Sequence, residues 1–206
     1  MEITLEGNSA ETSNLTQPTQ LQTAVLLITF RRQAHTREVL EAIRTARPTR
    51  LYFASDGARE GNEGERELVS GVRSLISEVD WPCEVHTLFQ DTNLGCGSGV
   101  KAAIDWFFSN EESGIILEDD TVPNFSFFLF CQELLSRYET DTRVGLISGT
   151  NHVASVSSDS SYFFSKNKKT WGWATWKRAW DLMDFSMAWR TGVQANSVRM
   201  NMGVSK

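Results

Sequence analysis

Three acidic side chains in succession, Glu118-Asp119-Asp120, end the apolar run Gly114-Ile115-Ile116-Leu117 and precede Thr121-Val122-Pro123. A run of that length reads as a buried strand, which delivers three carboxylates into one loop. Adjacent like charges repel and each resists desolvation; a cation or a hydrogen-bonding ligand relieves both penalties. Oxygen-only donors favour Mg2+ or Mn2+, which are held by one or two carboxylates while substrate phosphates fill the rest of the shell. The pattern therefore points to a divalent ion that binds a nucleotide diphosphate. The alternative is a solvated acidic turn.

Other groups capable of chemistry fall at the ends of strand-like segments. In Thr29-Phe30-Arg31-Arg32, Arg31 or Arg32 is placed to meet a phosphate, or else to remain in solvent. Ser55-Asp56-Gly57 offers a short acid that accepts from ribose hydroxyls or base N–H groups, or that begins an Asx turn. Asn93-Leu94-Gly95 opens a glycine-rich stretch that fails the dinucleotide fingerprint, because Val100 stands where its third glycine belongs. It reads as a tight loop whose backbone approaches a ligand, or as a plain turn. Lys101 follows one turn into a helix and reads as exposed, with contact to a phosphate as the alternative. Trp171, Trp173 and Trp176, spaced by Gly172 and Ala174, form either a packed corner or a stacking platform for a sugar. Cys83, Cys96 and Cys131 read as buried packing residues. His35, His86 and His152 are too dispersed for a histidine metal site.

The elements that position these groups alternate. Ala24–Phe30 is a continuous apolar run of strand length, as in a parallel strand covered on both faces. A helix is predicted over Arg37–Ala46, capped by Thr36 and stopped before Pro48. Strand Leu51–Ser55, an acidic loop to Glu65 and a helix through Val69, Val72, Ile76 and Val79 follow. Strand Glu84–Phe89, a helix carrying Val100, Ile104, Phe107 and Phe108, and the strand ending at the acidic triplet complete the rhythm. Helix Phe125–Tyr138, strand Val144–Ser148 and an aromatic strand Tyr162–Phe164 come last. Such alternation implies an α/β domain with a doubly wound, mostly parallel sheet.

Length and charge narrow the partners. A chain of 206 residues supports one core, and a net charge of −6 without basic stripes disfavours nucleic acid or an anionic membrane as partner. No apolar run reaches the length of a membrane span. Scattered cysteines without a CxxC pair, and the lack of a signal-like N-terminus, lead to the expectation of a reducing, cytoplasmic compartment. Residues 1–22, rich in Thr, Ser, Asn, Gln and Glu, read as a flexible leader before a domain over 23–206.

Taken in order, TFRR, SDG, NLGCG, GIILEDDTVPNFSFFLFC, ISGTN and WGWATWKRAW resemble the bacterial nucleotide-diphospho-sugar transferases of the GT-A fold. The similarity spans about Thr23 to Asp184. The arrangement is more distantly similar to the Golgi N-acetylglucosaminyltransferases, in which an EDD triplet serves as the DXD motif. The resemblance implies a single Rossmann-like GT-A domain with helices on both faces of the sheet. It also implies a metal-dependent, hexosyltransferase-like reaction, inverting by analogy, that moves a sugar from a nucleotide-diphosphate donor to an acceptor hydroxyl. Carried over by position, Asp120 would ligate Mn2+, Glu118 and Asp119 would contact the sugar nucleotide, Asp56 would read uridine and Arg31 would lie near the nucleotide. Thr29, Asn93, Gly95 and Trp173 complete the expected nucleotide-sugar-binding set, with a UDP-sugar as the favoured donor. In relatives the general base follows the tryptophan-rich segment. Here only Asp181 and Asp184 stand there, in what reads as the end of a helix.

The tail from Gln194 to Lys206 loses the family pattern, which leads to the expectation of a C-terminally shortened chain. That keeps open a second reading, a nucleotide-sugar-binding module without catalysis. A nucleotidyltransferase would need a glycine-rich loop after the first strand, and the stretch Thr29 to Thr36 contains no glycine.

Overall fold

A computed structural model describes residues 20–150, 162–165, 170–183 and 197–200. Its strands form an eight-stranded sheet in the order β3-β2-β1-β4-β7-β5-β8-β6. Strands β1 (Val25–Thr29), β2 (Arg50–Ser55), β3 (Glu84–Phe89) and β4 (Ser113–Glu118) are mutually parallel. Strand β7 (Trp173–Trp176) runs antiparallel between β4 and β5 (Leu146–Ser148). Beyond them, β8 (Ser197–Met200) is parallel to β5 and antiparallel to β6 (Tyr162–Ser165).

The apolar runs are continuous because both faces of the sheet are covered. On one face Val25, Leu27, Phe53, Ile115 and Leu117 pack with residues of α1 (Gln33–Ala46), α2 (Glu63–Ser74) and α4 (Phe125–Arg137). On the other, Leu26, Tyr52, Ala54 and Ile116 meet Ile104, Phe107 and Phe108 of α3 (Cys96–Phe108) and Trp180 of α5 (Lys177–Trp180). Burying five such large side chains on one face contributes roughly 1.5–3 kcal/mol each before the entropy of ordering is counted.

Three expectations need correction. Helix α1 begins at Gln33, a full turn before the predicted start. Thr36 is buried within it and donates its hydroxyl to the Arg32 carbonyl (2.9 Å), so it is an interior back-bonding residue and not a cap. The packed structure also begins before Thr23: Leu21 is buried, its N–H donates to Ala46 O and its carbonyl accepts from Thr49 N. Of the two readings of the tryptophan-rich run, packing holds for Trp173 and Trp176, which lie on core strand β7, while Trp171 is exposed. Trp173 packs near Trp180 on one face of β7, while Trp176 on the other donates its indole N–H to Leu135 O (3.1 Å).

Register decides where the loops emerge. Thr29 pairs with Ser55, Ser55 with Phe89, and Ile28 with Glu118. The connections after all four parallel strands therefore leave the same carboxyl edge, where ligands bind in open α/β sheets.

Candidate functional site

A cleft of about 320 Å³ opens at that edge, lined by Thr29, Arg31, Arg32, Asp56, Asn93, Gly95, Glu118 and Asp119 among others. One wall is the β2 loop locked to the loop after β3. Asp56 accepts from the N–H groups of Gly57 (2.9 Å), Leu94 (2.9 Å) and Gly95 (3.2 Å) and from Asn93 Nδ2 (3.0 Å). Asn93 Nδ2 also donates to Gly57 O (2.9 Å). Glycine is required at two points of this knot. Gly95 has φ of 80°, and a Cβ on Gly57 would lie 2.5 Å from the Thr92 carbonyl carbon. An ionised carboxylate offers about four acceptor positions, and four donors already engage this one. Asp56 thus borders the cleft but spends its hydrogen bonds on loop geometry, which departs from the expectation that it reads a base.

The opposite wall is the acidic turn. Asp119 is buried and Asp120 is half-exposed, and the same nitrogen of Arg32, Nη2, donates to Asp119 Oδ1 and to Asp120 Oδ2 (2.9 Å). These bonds, that to Asp119 foremost, raise the Arg32 pKa further above its ordinary value. Asp119 Oδ2 is buried without a hydrogen-bond partner. Burial, followed by the charges of Asp120 and Asp119, pushes the Glu118 carboxyl above the usual carboxylate range. Because the folded state raises this value, it favours neutral Glu118; that advantage is complete below the unfolded value and is lost as pH rises through the folded one. Glu118→Gln is therefore expected to melt at a higher temperature than the parent at neutral pH in metal-free buffer, by about 0.5–2 kcal/mol of stability. The gap should close as the pH falls and Glu118 protonates, which thermal melts across pH will check.

Between these walls Arg31 is held by Glu65 (2.6 Å), a buried carboxylate on the first turn of α2 that also accepts from Arg59 N (2.9 Å). The Arg59 N–H, and then the Arg31 guanidinium, hold Glu65 below the ordinary range. Asn62 caps the same helix by accepting from Glu65 N (3.1 Å). The spacing Asn62-x-x-Glu65 is a capping-box pattern, and it was the signal in the sequence that could have singled out Glu65.

The structure distributes the remaining expected residues unevenly. Thr29 borders the cleft, but its hydroxyl donates to Ala54 O (2.9 Å). Trp173 is buried in the sheet and lines neither this cleft nor its neighbour, so it cannot act as a sugar platform in this state. Trp171 is 67% exposed. Asp181 pairs with Lys177 (2.9 Å) on the surface and also lines neither cleft; Asp184 lies outside the described residues. Of the cysteines, Cys131 is buried as expected, whereas Cys96 is exposed at the start of α3 and borders the cleft.

A second cleft of about 400 Å³ lies beyond the turn, bounded by Asp120, Thr121, Phe127, Gly149, Thr150 and Trp171. Glu118 and Asp119 therefore face one cleft and Asp120 the other.

Among the described residues no group of three or more His, Cys, Asp or Glu side chains converges as a metal cage. Two carboxylates that meet on one nitrogen, with an orphaned buried oxygen beside them, nevertheless fit a hard divalent ion whose other ligands come from phosphate and water.

No family model matches the chain, and no curated protein does. Among solved structures it is similar to the 4-diphosphocytidyl-2C-methyl-D-erythritol synthase of Anaerococcus prevotii, at 8% identity and a TM-score of 0.52, over 87% of this chain and 86% of that one. The fold is Rossmann-like α/β. A second similarity is to the mannosyltransferase PcManGT of Pyrobaculum calidifontis, in complex with GDP-Man and Mn2+, at 12% identity and a TM-score of 0.42. It covers 66% of this chain and 37% of that one, so the Rossmann-like chain spans well under half the length of that relative. Among the described residues no helix is long and apolar enough to cross a membrane.

Proposed function

We propose that this chain is a metal-dependent glycosyltransferase of the GT-A type, moving a hexose from a nucleotide-diphosphate sugar to an acceptor hydroxyl with inversion. The observation that carries the reading is the pair Asp119 and Asp120 meeting on a single cationic nitrogen at the rim of the cleft. Such a seat suits Mn2+ or Mg2+, with Asp120 as the ligand that the sequence resemblance assigns, and a UDP-sugar is the donor it favours. A divalent ion bound there neutralises charge on the departing diphosphate as a Lewis acid.

The chain's own groups divide the remaining work. The loop fixed by Asp56 and Asn93 shapes the nucleoside end of the cleft, and the Arg31–Glu65 pair stiffens the wall between nucleoside and acids. Half-buried Glu118 faces the same cleft and orients the donor next to the diphosphate. The cleft beyond the turn, on the Asp120 side, receives the acceptor, since a hydroxyl that displaces the diphosphate must approach from the face opposite the leaving group. The loop after β1 has two arginines tied to carboxylates and no glycine, which argues against a nucleotidyl-transfer reading.

A nucleotide-sugar-binding module without catalysis is the second reading. It is favoured by the second cleft, where Asp120 is the only carboxylate among the described lining residues and none remains to serve as general base.

Calorimetric titration with UDP-, GDP- and CDP-sugars, with Mn2+ and after chelation, tests both. The expected result is UDP-sugar binding that requires Mn2+. Equal affinity in chelator would remove the metal-dependent reading, and measurable transfer or donor hydrolysis would remove the binding-module alternative.

A further inference from the structure

We infer that Arg32 is a resident counter-ion occupying the seat of the divalent cation, so that metal alone binds weakly and metal and nucleotide diphosphate bind as a coupled pair. This rests on the proposed metal-dependent reading and adds an order of events to it.

Arg32 Nη2 contacts both Asp119 Oδ1 and Asp120 Oδ2, so one positive nitrogen already occupies the point where the two carboxylates converge. The second oxygen of Asp119 is buried without a partner, leaving Arg32 as the main compensation for that charge. Neighbouring Arg31 cannot substitute, being held by Glu65 at 2.6 Å. The Arg32 side chain is 47% exposed, so its long stem can swing into the adjoining cleft without disturbing the core. Its backbone carbonyl, not its side chain, holds the first turn of α1 through Thr36.

A divalent cation arriving alone must expel the guanidinium, so its net gain is one positive charge and it forfeits part of its attraction to the acid pair. A diphosphate changes the balance: the expelled guanidinium acquires a bidentate partner in a phosphate, the geometry for which its planar fork is suited. The favourable state then contains ion, diphosphate and relocated Arg32 together. By linkage, UDP must raise the affinity for the metal by the same factor as the metal raises the affinity for UDP.

The test uses the full chain, Mn2+ alone or with UDP, and electron paramagnetic resonance of free Mn2+ as the readout, on wild type, Arg32→Gln and Arg32→Lys. Thermal melts check that each variant is folded, and Arg32→Ala takes the place of Arg32→Gln if that variant is not. Wild type is expected to bind Mn2+ weakly alone and about tenfold or more tightly with UDP. In Arg32→Gln, Mn2+ alone should bind about tenfold more tightly than in wild type, and the enhancement by UDP should largely vanish. Arg32→Lys, which keeps the charge, should retain the weak binding of Mn2+ alone. Unchanged Mn2+ affinity in Arg32→Gln, or equal tightening in both variants, overturns the counter-ion role while leaving metal-dependent nucleotide binding by wild type intact. Absence of Mn2+ binding by all three proteins, with UDP present, instead removes the glycosyltransferase reading and this inference with it.

Discussion

Asp120→Ala should abolish Mn2+-dependent nucleotide binding, lowering affinity about 100-fold or more, while the fold stays as stable as the parent to within about 0.5 kcal/mol. The two expectations separate because Asp120 is exposed and contacts only Arg32 among its charged neighbours, so its removal takes the proposed cation ligand without opening a cavity. Asp119→Ala should differ. Asp119 is buried against Arg32, and its loss removes the partner of a half-exposed guanidinium together with the second carboxylate of the proposed seat. Calorimetry with UDP and Mn2+, paired with thermal melts, checks both variants. Retained Mn2+-dependent binding in Asp120→Ala would move the metal away from this turn.

The second large effect is expected at Asp56. Asp56→Ala strands three backbone N–H groups and leaves the Asn93 amide only its bond to Gly57 O; all four donors now share one carboxylate. Partial rescue by water leaves a loss of roughly 2–4 kcal/mol, because unmatched donors in a partly buried loop keep their desolvation penalty. For a domain of this size that corresponds to a fall in melting temperature of about 5–15 °C. Asp56→Asn is expected to do little better, since its amide hydrogens must face either the N–H groups of Gly57 and Leu94 or the Gly95 N–H and the Asn93 amide. An Asp56→Ala protein that melts like the parent and loses only its preference for uridine would show that the carboxylate reads the base after all.

How far the residues announce this arrangement varies from place to place. Strands β1, β2 and β4 are legible because burial on both faces leaves an unbroken apolar run, and the acidic triplet stands out at the end of the last. The first turn of α1 is not legible: Gln33-Ala34-His35 carries no apolar periodicity, and the helix there follows from backbone bonding and from Thr36 fitting beneath it. Nor does Trp173-Ala174-Thr175-Trp176 disclose that it lies between β4 and β5. Its side chains are buried on both faces, so the alternation that marks a half-exposed strand is missing. Within the site, residue types identify the acids and arginines but not their pairing. Arg31 and Arg32 are adjacent in sequence and chemically identical, yet the loop between β1 and α1 sends one to Glu65 and the other to the acidic turn. Asp56 is a similar case: its position at a strand end is readable, while its saturation depends on Gly57 meeting Thr92 in space.

The insertion of β7 next to β4 bears on how the protein is made. As the chain leaves the ribosome, β1 through β4 can assemble in order, but the outer hydrogen-bonding edge of Ser113–Ile116 stays open until Trp173–Trp176 has been synthesised. An unpaired apolar edge beside a strand carrying Ile115, Ile116 and Leu117 is a template for sticking to another nascent copy. Late closure by a distant segment also slows folding, because pairing strands so far apart in sequence carries a loop-closure entropy that must be met before the contact forms. Production at low temperature, or with a chaperone that shields strand edges, should therefore raise the soluble yield more for this chain than for one whose sheet closes in sequence order.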